Sequence, residues 1–301
     1  MLRQFVWGIA GATMTAAIAH AAALPACAPQ VETSGARVVR AEKNGVLVLE
    51  DGRAVKVEGV LLPGGARDRA PQYLADEAVS VLSDIARGRV VTLAAQRPKE
   101  DRYGRLRAQV FITEDIAQPW LQLELLHRGL GRVSIAPDRR ECAAELYAAE
   151  DEARRNRNGI WSQAIYGVRA PDAALSGDMD TFQLVKGTIV SADVKNGRGY
   201  LDFGTDWRRD FTVTISSDDM KTFREAGVDP QSYEGKTVRV RGWVEGLHRP
   251  EIEVAGPEDI EVLESDEASG SNLEDDHAGN HRKTGTSCSA ARNCPRLRGS
   301  E

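Results

Sequence analysis

The sequence predicts a mainly β protein with some helix (α+β), built from two OB-type five-stranded barrels. In both halves, short β-prone runs bounded by turn residues are interleaved with stretches of helical spacing. Between the halves, residues 170–179 are rich in Ala, Asp and Gly and break the apolar periodicity. With 301 residues, 42% of them hydrophobic, the chain is long enough to bury two cores.

The first barrel is expected to take its strands and three helices from residues 36–163. Three strands form an antiparallel meander with turns at residues 43–45 and 50–53. The five strands are expected at residues 36–41, 46–49, 55–60, 90–93 and 106–112. A first helix is indicated by apolar residues at helical spacing, namely Leu74, Ala78, Val81, Leu82 and Ile85. Two more helices are expected to end at Gly129 and near Asn158.

The second barrel is expected over residues 182–263, after a linker at residues 164–181. Its strands and its one helix follow the OB order of three strands, a helix and two strands. The strands are expected at residues 182–190, 199–203, 211–215, 237–244 and 251–254, and the helix at residues 218–226. Residues 264–301 contain hardly any apolar side chains and are expected to form a disordered tail.

The N-terminus has the pattern of a secretory signal peptide over residues 1–21. A positive start, Met1-Leu2-Arg3-Gln4, precedes an uncharged apolar run and the small-x-small site Ala19-His20-Ala21. We therefore expect an exported protein, periplasmic or secreted, with no stable membrane span after cleavage. One alternative stays open, because Leu24-Pro25-Ala26-Cys27 resembles a lipoprotein cleavage box that would place a lipid anchor on Cys27, although Pro25 disfavours it.

Four cysteines fit an oxidising compartment. The simplest of the three possible pairings joins Cys27 to Cys142 and Cys288 to Cys294. The chain has no C-x-x-C pair and no Cys/His spacing suited to zinc, so no metal site is expected from these residues.

Three segments carry a family resemblance. They are Asp101-Arg102-Tyr103-Gly104-Arg105, Leu125-Leu126-His127-Arg128-Gly129-Leu130 and Asn158-Gly159-Ile160-Trp161. In their order and spacing, roughly residues 36–163 resemble the staphylococcal nuclease (thermonuclease) family. The resemblance implies phosphodiester hydrolysis with one bound Ca²⁺, held by two Asp side chains. It also implies a Glu as general base and two Arg that hold the phosphate.

Most of these catalytic positions have changed in this sequence. The turn that carries the first Asp in the family is Lys43-Asn44-Gly45-Val46, which has no carboxylate. Lys56 replaces the first Arg, Leu61 the second Asp and Gly64 the Glu, whereas Arg105 is kept. The comparison leaves Arg105 and Lys56 as residual phosphate-binding candidates and predicts no metal ligands.

Glu58 is a further catalytic candidate with two interpretations. Strand alternation places it on the same face as Lys56, where it could act as a displaced carboxylate. Alternatively, both side chains pair with neighbours on a polar face, and this interpretation is favoured because one acid in place of three leaves a metal under-coordinated.

The ligand-binding candidates outside these positions are Tyr103, Trp207 and Arg208. In the second half, aromatic residues alternate with arginines, a pattern suited to stacking bases and contacting phosphates. The alternative is that the aromatics are core residues and that the arginines are balanced by nearby acids. Since the whole chain has a formal net charge of -6, any nucleic-acid site must be a local basic patch.

These observations predict an exported thermonuclease-family protein with a degenerate catalytic site, acting as a binding module for nucleic acid, including single strands, or another ligand. One alternative is an active secreted or periplasmic endonuclease that hydrolyses DNA or RNA and needs Ca²⁺. A second alternative is an envelope scaffold that binds a protein or a glycan.

Overall fold

The computed structural model describes residues 24–64, 67–113, 119–206, 208–246 and 249–263. The expected signal peptide, the tail with Cys288 and Cys294, and Trp207 lie outside the described residues. Within the described ranges, none of the helices has the length and hydrophobicity needed to cross a lipid bilayer.

The first half forms a closed barrel of five strands, as the sequence predicts. Its strands are β1 (Val31–Glu42), β2 (Val46–Leu49), β3 (Ala54–Val57), β5 (Val90–Ala94) and β6 (Leu106–Ile112), in the order β1-β2-β3-β6-β5. β3 and β6 run parallel, and the other neighbours are antiparallel. Two short strands, β4 (Val60–Leu61) and β7 (Arg132–Val133), pair outside the barrel.

Three helices accompany this barrel: α1 (Gln72–Ala86), α2 (Leu121–His127) and α3 (Ala143–Arg155). The apolar positions of α1 are buried where the spacing predicts them, and Ala78 and Leu82 are fully buried in the same core cluster as the barrel strands. Cys27, which precedes β1, forms a disulfide with Cys142 directly before α3. The disulfide therefore attaches the start of the described chain to the helical layer.

The second half forms a seven-stranded sheet instead of the expected five strands. Its strands are β8 (Phe182–Thr188), β9 (Ser191–Lys195), β10 (Arg198–Asp202), β11 (Thr212–Ile215), β12 (Thr237–Glu245), β13 (Glu251–Val254) and β14 (Ile260–Val262), with helix α4 (Met220–Glu225) between β11 and β12. The predicted first strand, residues 182–190, corresponds to β8, which pairs with β12. β9 was not predicted; it follows β8 after two residues and pairs with β10. β14 adds a further strand beside β12.

The strand order of the second half repeats that of the first. β9, β10, β11, β13 and β12 follow one another, β12 pairs with β8, and β8 is only two residues from β9 in the sequence. The parallel pair β11–β13 corresponds to the parallel pair β3–β6.

The two halves belong to one compact unit that ends at residue 264. A shared hydrophobic cluster joins the helices of the first half to β8; its members include Leu74, Ile160, Trp161, Phe182 and Leu184. Buried ion pairs also cross from one half to the other: the fully buried side chain of Arg241 on β12 contacts the fully buried Glu150 on α3 at 2.8 Å. The first barrel therefore does not present all of its surface to solvent.

Candidate functional site

The candidate site lies where the β1–β2 turn, β3 and the turn before β6 come together. In the turn before β6, the Asp101 carboxylate accepts hydrogen bonds from the backbone N–H of Tyr103 (2.9 Å) and of Arg105 (3.0 Å). Gly104 adopts a left-handed conformation with φ of 73°. These two features explain the D-x-Y-G-R pattern: the Asp caps the turn, and Gly supplies the positive φ without steric strain.

The same Asp101 carboxylate fixes the side chain of Arg105. The Arg105 Nε donates to it at 2.7 Å and a terminal nitrogen lies 2.6 Å away. Burial raises the pKa of Asp101, but the hydrogen bonds from Arg105 outweigh this effect and keep that pKa below its usual value. Asp101 is therefore the charge partner of Arg105.

Tyr103 is exposed at the tip of this turn, with 69% of its surface accessible to solvent. The Arg105 guanidinium lies 4.9 Å and the Arg102 guanidinium 5.3 Å from its ring centroid. Both distances are within the range of a cation–π interaction. The turn thus presents an aromatic ring flanked by two positive charges.

Lys56 on β3 lies against the turn where the family carries its first metal-ligand Asp. Its ammonium donates a hydrogen bond to the backbone carbonyl of Asn44. A Cβ placed on Gly45 would lie 3.5 Å from Lys56 Nζ and 3.7 Å from a methyl carbon of Leu62. An ammonium and a methyl group therefore pack beside this turn. Burial lowers the pKa of Lys56, and Arg105 adds to this effect.

The carboxylate of Glu58 is bound by Arg107. Two guanidinium nitrogens of Arg107 donate to the two Glu58 carboxylate oxygens, both at 3.1 Å, and Arg107 also bonds Asp138 at 2.8 and 3.0 Å. The hydrogen bonds that Arg107 donates to Glu58 are the main reason that the pKa of Arg107 is raised. Glu58 is 9% exposed. The structure therefore places it in a buried salt bridge.

Sequence reasoning missed Arg107 and Asp138. A signal existed for Arg107, because it follows Arg105 by two positions and strand alternation puts both on one face. Asp138 lies in a loop distant in sequence, so no local pattern indicated it.

The remaining two family positions also hold no carboxylate. Leu61 packs, partly buried, against the hydrophobic cluster that contains Phe182. At Gly64, φ is 100° and an added Cβ would lie 2.8 Å from the Ala75 Cβ, so a longer side chain does not fit without movement. Nearby Asp68 accepts hydrogen bonds from the Gly64 N–H (2.8 Å) and the Tyr166 hydroxyl (2.9 Å).

A calcium ion does not fit this arrangement. Ca²⁺ takes six to eight oxygen ligands, several of them carboxylate oxygens. Among the described residues, the acids near the site are engaged by arginines or by backbone N–H groups. In the part of the chain that the structure describes, the side chains whose potential metal-ligand atoms lie within 4.8 Å of one another are those of Cys27, Cys142 and Glu145. The two sulfur atoms of this group are joined in the disulfide.

Of the two candidates in the second half, the structure describes Arg208. Arg208 is exposed in the β10–β11 loop, where its backbone N–H donates to Asp206 at 3.2 Å. Phe203 and Phe211 pack together in the core of the second sheet. Arg239 is 7% exposed and pairs with acids, as Arg241 does. Most of the aromatic–arginine pattern is therefore explained by packing and ion pairs.

Comparison with known protein families gives one match. The family model described as "Staphylococcal nuclease homologue" matches residues 55–163, from β3 to the turn after α3. The first two strands of the barrel, with the Asn44 turn, precede the matched region. No curated protein matches the chain.

The match covers the D-x-Y-G-R turn, the parallel β3–β6 pair and the three helices of the closed five-stranded barrel. Residues 55–163 are therefore a staphylococcal nuclease homologue domain.

Proposed function

We propose that this chain is an exported nucleic-acid-binding protein whose nuclease-type site holds phosphate groups without hydrolysing them. The observation that carries the proposal is the position of Lys56. Its ammonium bonds to the turn that bears a metal-ligand carboxylate in the resembled family. The positive charge that stands in place of the family's first Arg is thus bonded to the turn on which the family places an oxygen ligand for the metal.

Hydrolysis by this family's route needs a hard cation to polarise the phosphate and a base to activate water. Leu61, Gly64 and the turn Lys43-Asn44-Gly45-Val46 supply neither. The acids that are close by, Asp101 and Glu58, form salt bridges with arginines. We therefore expect no metal-dependent cleavage.

Phosphate binding is compatible with the same residues. The Arg105 charge is close enough to Lys56 to help lower the pKa of its ammonium, and Arg102 adds a third charge at the exposed turn. A local positive patch can attract phosphate even though the whole chain is acidic. The exposed Tyr103 ring offers a face on which a base of a single strand can stack.

Export is supported by the N-terminal pattern and by the disulfide. Disulfides form and persist in oxidising compartments and are rare in the cytosol. Cys27 and Cys142 form one in this protein. We therefore assign the chain to the periplasm or to the secreted fraction.

The test is a fluorescence-anisotropy titration of a labelled single-stranded oligonucleotide at several salt concentrations. Lys56→Met keeps the aliphatic stem and removes the charge, and Arg105→Ala removes the guanidinium. Each variant should weaken binding and reduce the slope of log affinity against log salt by about 0.7, because each contact to a single-strand phosphate contributes about that amount.

Matched controls are Lys221→Met and Arg224→Ala, which remove exposed charges from the α4 helix of the second half. These two variants should bind as the unmodified protein does. An affinity that does not fall with rising salt would show that phosphate does not lead the binding. Cleavage that disappears both in EDTA and in Arg105→Ala would establish the active nuclease instead.

A further inference from the structure

A separate groove lies on the outer face of the second sheet. Its volume is about 610 Å³. It is formed by β9, β10, Gly204 and Thr205 after β10, and Arg249 before β13. Its wall includes Val190, Asp193, Lys195, Tyr200, Asp202 and Arg249.

The strands fix the directions of these side chains. Ala192 and Leu201 point into the core, being 4% and 0% exposed. Alternation therefore turns Asp193, Tyr200 and Asp202 outward. Asp193 lies directly opposite Tyr200 in the antiparallel register. The groove is thus built on regular strands, which hold a ligand-binding surface more rigidly than loops do.

The charges of the groove cancel in pairs. Lys195 Nζ lies 2.9 Å from the Asp193 carboxylate, and an Arg249 nitrogen lies 3.9 Å from that of Asp202. The Thr212 hydroxyl also donates to Asp202 at 2.6 Å. A phosphate chain entering the groove would meet two carboxylates, whereas an uncharged ligand meets both donors and acceptors.

The groove also has an apolar part. The Tyr200 ring is partly exposed, and Val190 is 49% exposed. A pyranose ring has the complementary surface, since its C–H face packs on an aromatic ring while its hydroxyl groups both donate and accept hydrogen bonds. Oligosaccharides are among the ligands that OB-type strand faces and their adjoining loops bind.

We propose that this groove is a binding site for a neutral oligosaccharide, with Tyr200 as the stacking surface and the Asp202–Arg249 pair as the hydrogen-bonding group. The site is separate from the Lys56–Arg105 site. The two proposals can therefore fail independently.

The test is isothermal titration calorimetry of the full chain with three uncharged probes, tetra-N-acetylchitotetraose, cellotetraose and maltotetraose, and with tetra-alanine that is acetylated at its N-terminus and amidated at its C-terminus so that it is also uncharged. At least one oligosaccharide should bind, and its affinity should stay constant between about 50 and 200 mM salt because no ion is displaced. Tyr200→Ala and Asp202→Asn should each weaken that binding by about tenfold or more.

Tyr73→Ala is the matched control, because it removes another exposed tyrosine, on α1. It should leave the affinity unchanged. Asp202→Asn preserves the shape of the side chain, so it tests the groove even if Tyr200→Ala fails to fold. The proposal is overturned if none of the three oligosaccharides binds, if binding survives in the folded variants, or if tetra-alanine binds in their place.

Discussion

Individual carboxylates decide what the nuclease-type site can do. Asp101 orients Arg105, and Glu58 and Asp138 share Arg107. Each acid is thus used to fix an arginine, and its oxygens are occupied by N–H donors. Metal coordination would require these same oxygens, so the salt bridges and a bound cation exclude each other.

Another single residue gives a pH-dependent prediction. Burial raises the pKa of Asp259 to about 6, although the backbone N–H groups of Ala255 and Gly256 donate to its carboxylate and lower that pKa. The folded state therefore binds a proton more tightly than the unfolded state, in which the pKa is near 3.8. This difference makes the folded protein less stable as pH rises from about 4 to about 6, and it has no further effect above that range.

We expect Asp259→Asn to remove this part of the pH dependence, because the amide oxygen still accepts hydrogen bonds but does not ionise. Relative to the variant, the unmodified protein should lose on the order of 2 kcal/mol of unfolding free energy between pH 4 and pH 6. Urea denaturation at several pH values measures this difference. Parallel curves for the two proteins would contradict the assignment.

At the scale of secondary-structure elements, one loop connects the site to the second half. The loop after β4 contains Gly64, which occupies the position of the family's general base. Arg67 in this loop contacts Glu245 of β12 at 2.6 Å, and Arg69 donates to the backbone carbonyl of Met179 at 2.6 Å. The second half therefore anchors the loop that would carry catalysis in an active relative.

The disulfide is the second element-scale constraint. It joins residues 115 positions apart, and Cys27 also packs beside the core of the first barrel. A crosslink that closes a loop of this length is expected to contribute about 4 to 5 kcal/mol by restricting the unfolded chain. Adding a reductant should therefore lower the midpoint of urea denaturation clearly.

The control is the double variant Cys27→Ser, Cys142→Ser, whose unfolding midpoint should already be low and should not respond to reductant. Equal midpoints for the oxidised protein and this variant would show that the crosslink does not stabilise the fold.

At the scale of the whole molecule, buried ion pairs connect the two halves. Arg241 contacts Glu150 on α3, donates to the Val133 carbonyl at 3.1 Å and pairs with Glu261. Its guanidinium also lies 4.2 Å from the Tyr147 ring centroid. We therefore expect the halves to unfold together.

Replacing Arg241 by Met should lower the free energy of unfolding by about 3 to 5 kcal/mol, because Glu150 is then left buried without its partner. The exposed pair of Arg198 and Glu253 is the control, and Arg198→Met should change stability by about 1 kcal/mol or less. Circular dichroism during urea denaturation should show a single transition for the unmodified protein. Two separate transitions would contradict the coupling.

Local sequence patterns predicted the strands and helices of the first half well. In α1, for example, the spacing of Ala78 and Leu82 directly reflects which face of the helix is buried. β9 of the second half was missed, since its place in the sheet depends on its pairing with β10. Arg241 was interpreted as one of several arginines that are either ligand-binding or solvated. Its burial arises from packing against α3, far away in the sequence, which no local pattern records.

Calcium is expected to have no role in the binding of nucleic acid by this protein, and one titration tests this most directly. The affinity for a labelled single-stranded oligonucleotide is measured in calcium and in EDTA, and the length of the oligonucleotide is checked afterwards. We predict equal affinities and an intact oligonucleotide, because in the proposed binding mode Lys56 and Arg105 hold phosphate without a metal. Binding that tightens in calcium, or an oligonucleotide shortened only in its presence, would contradict the account.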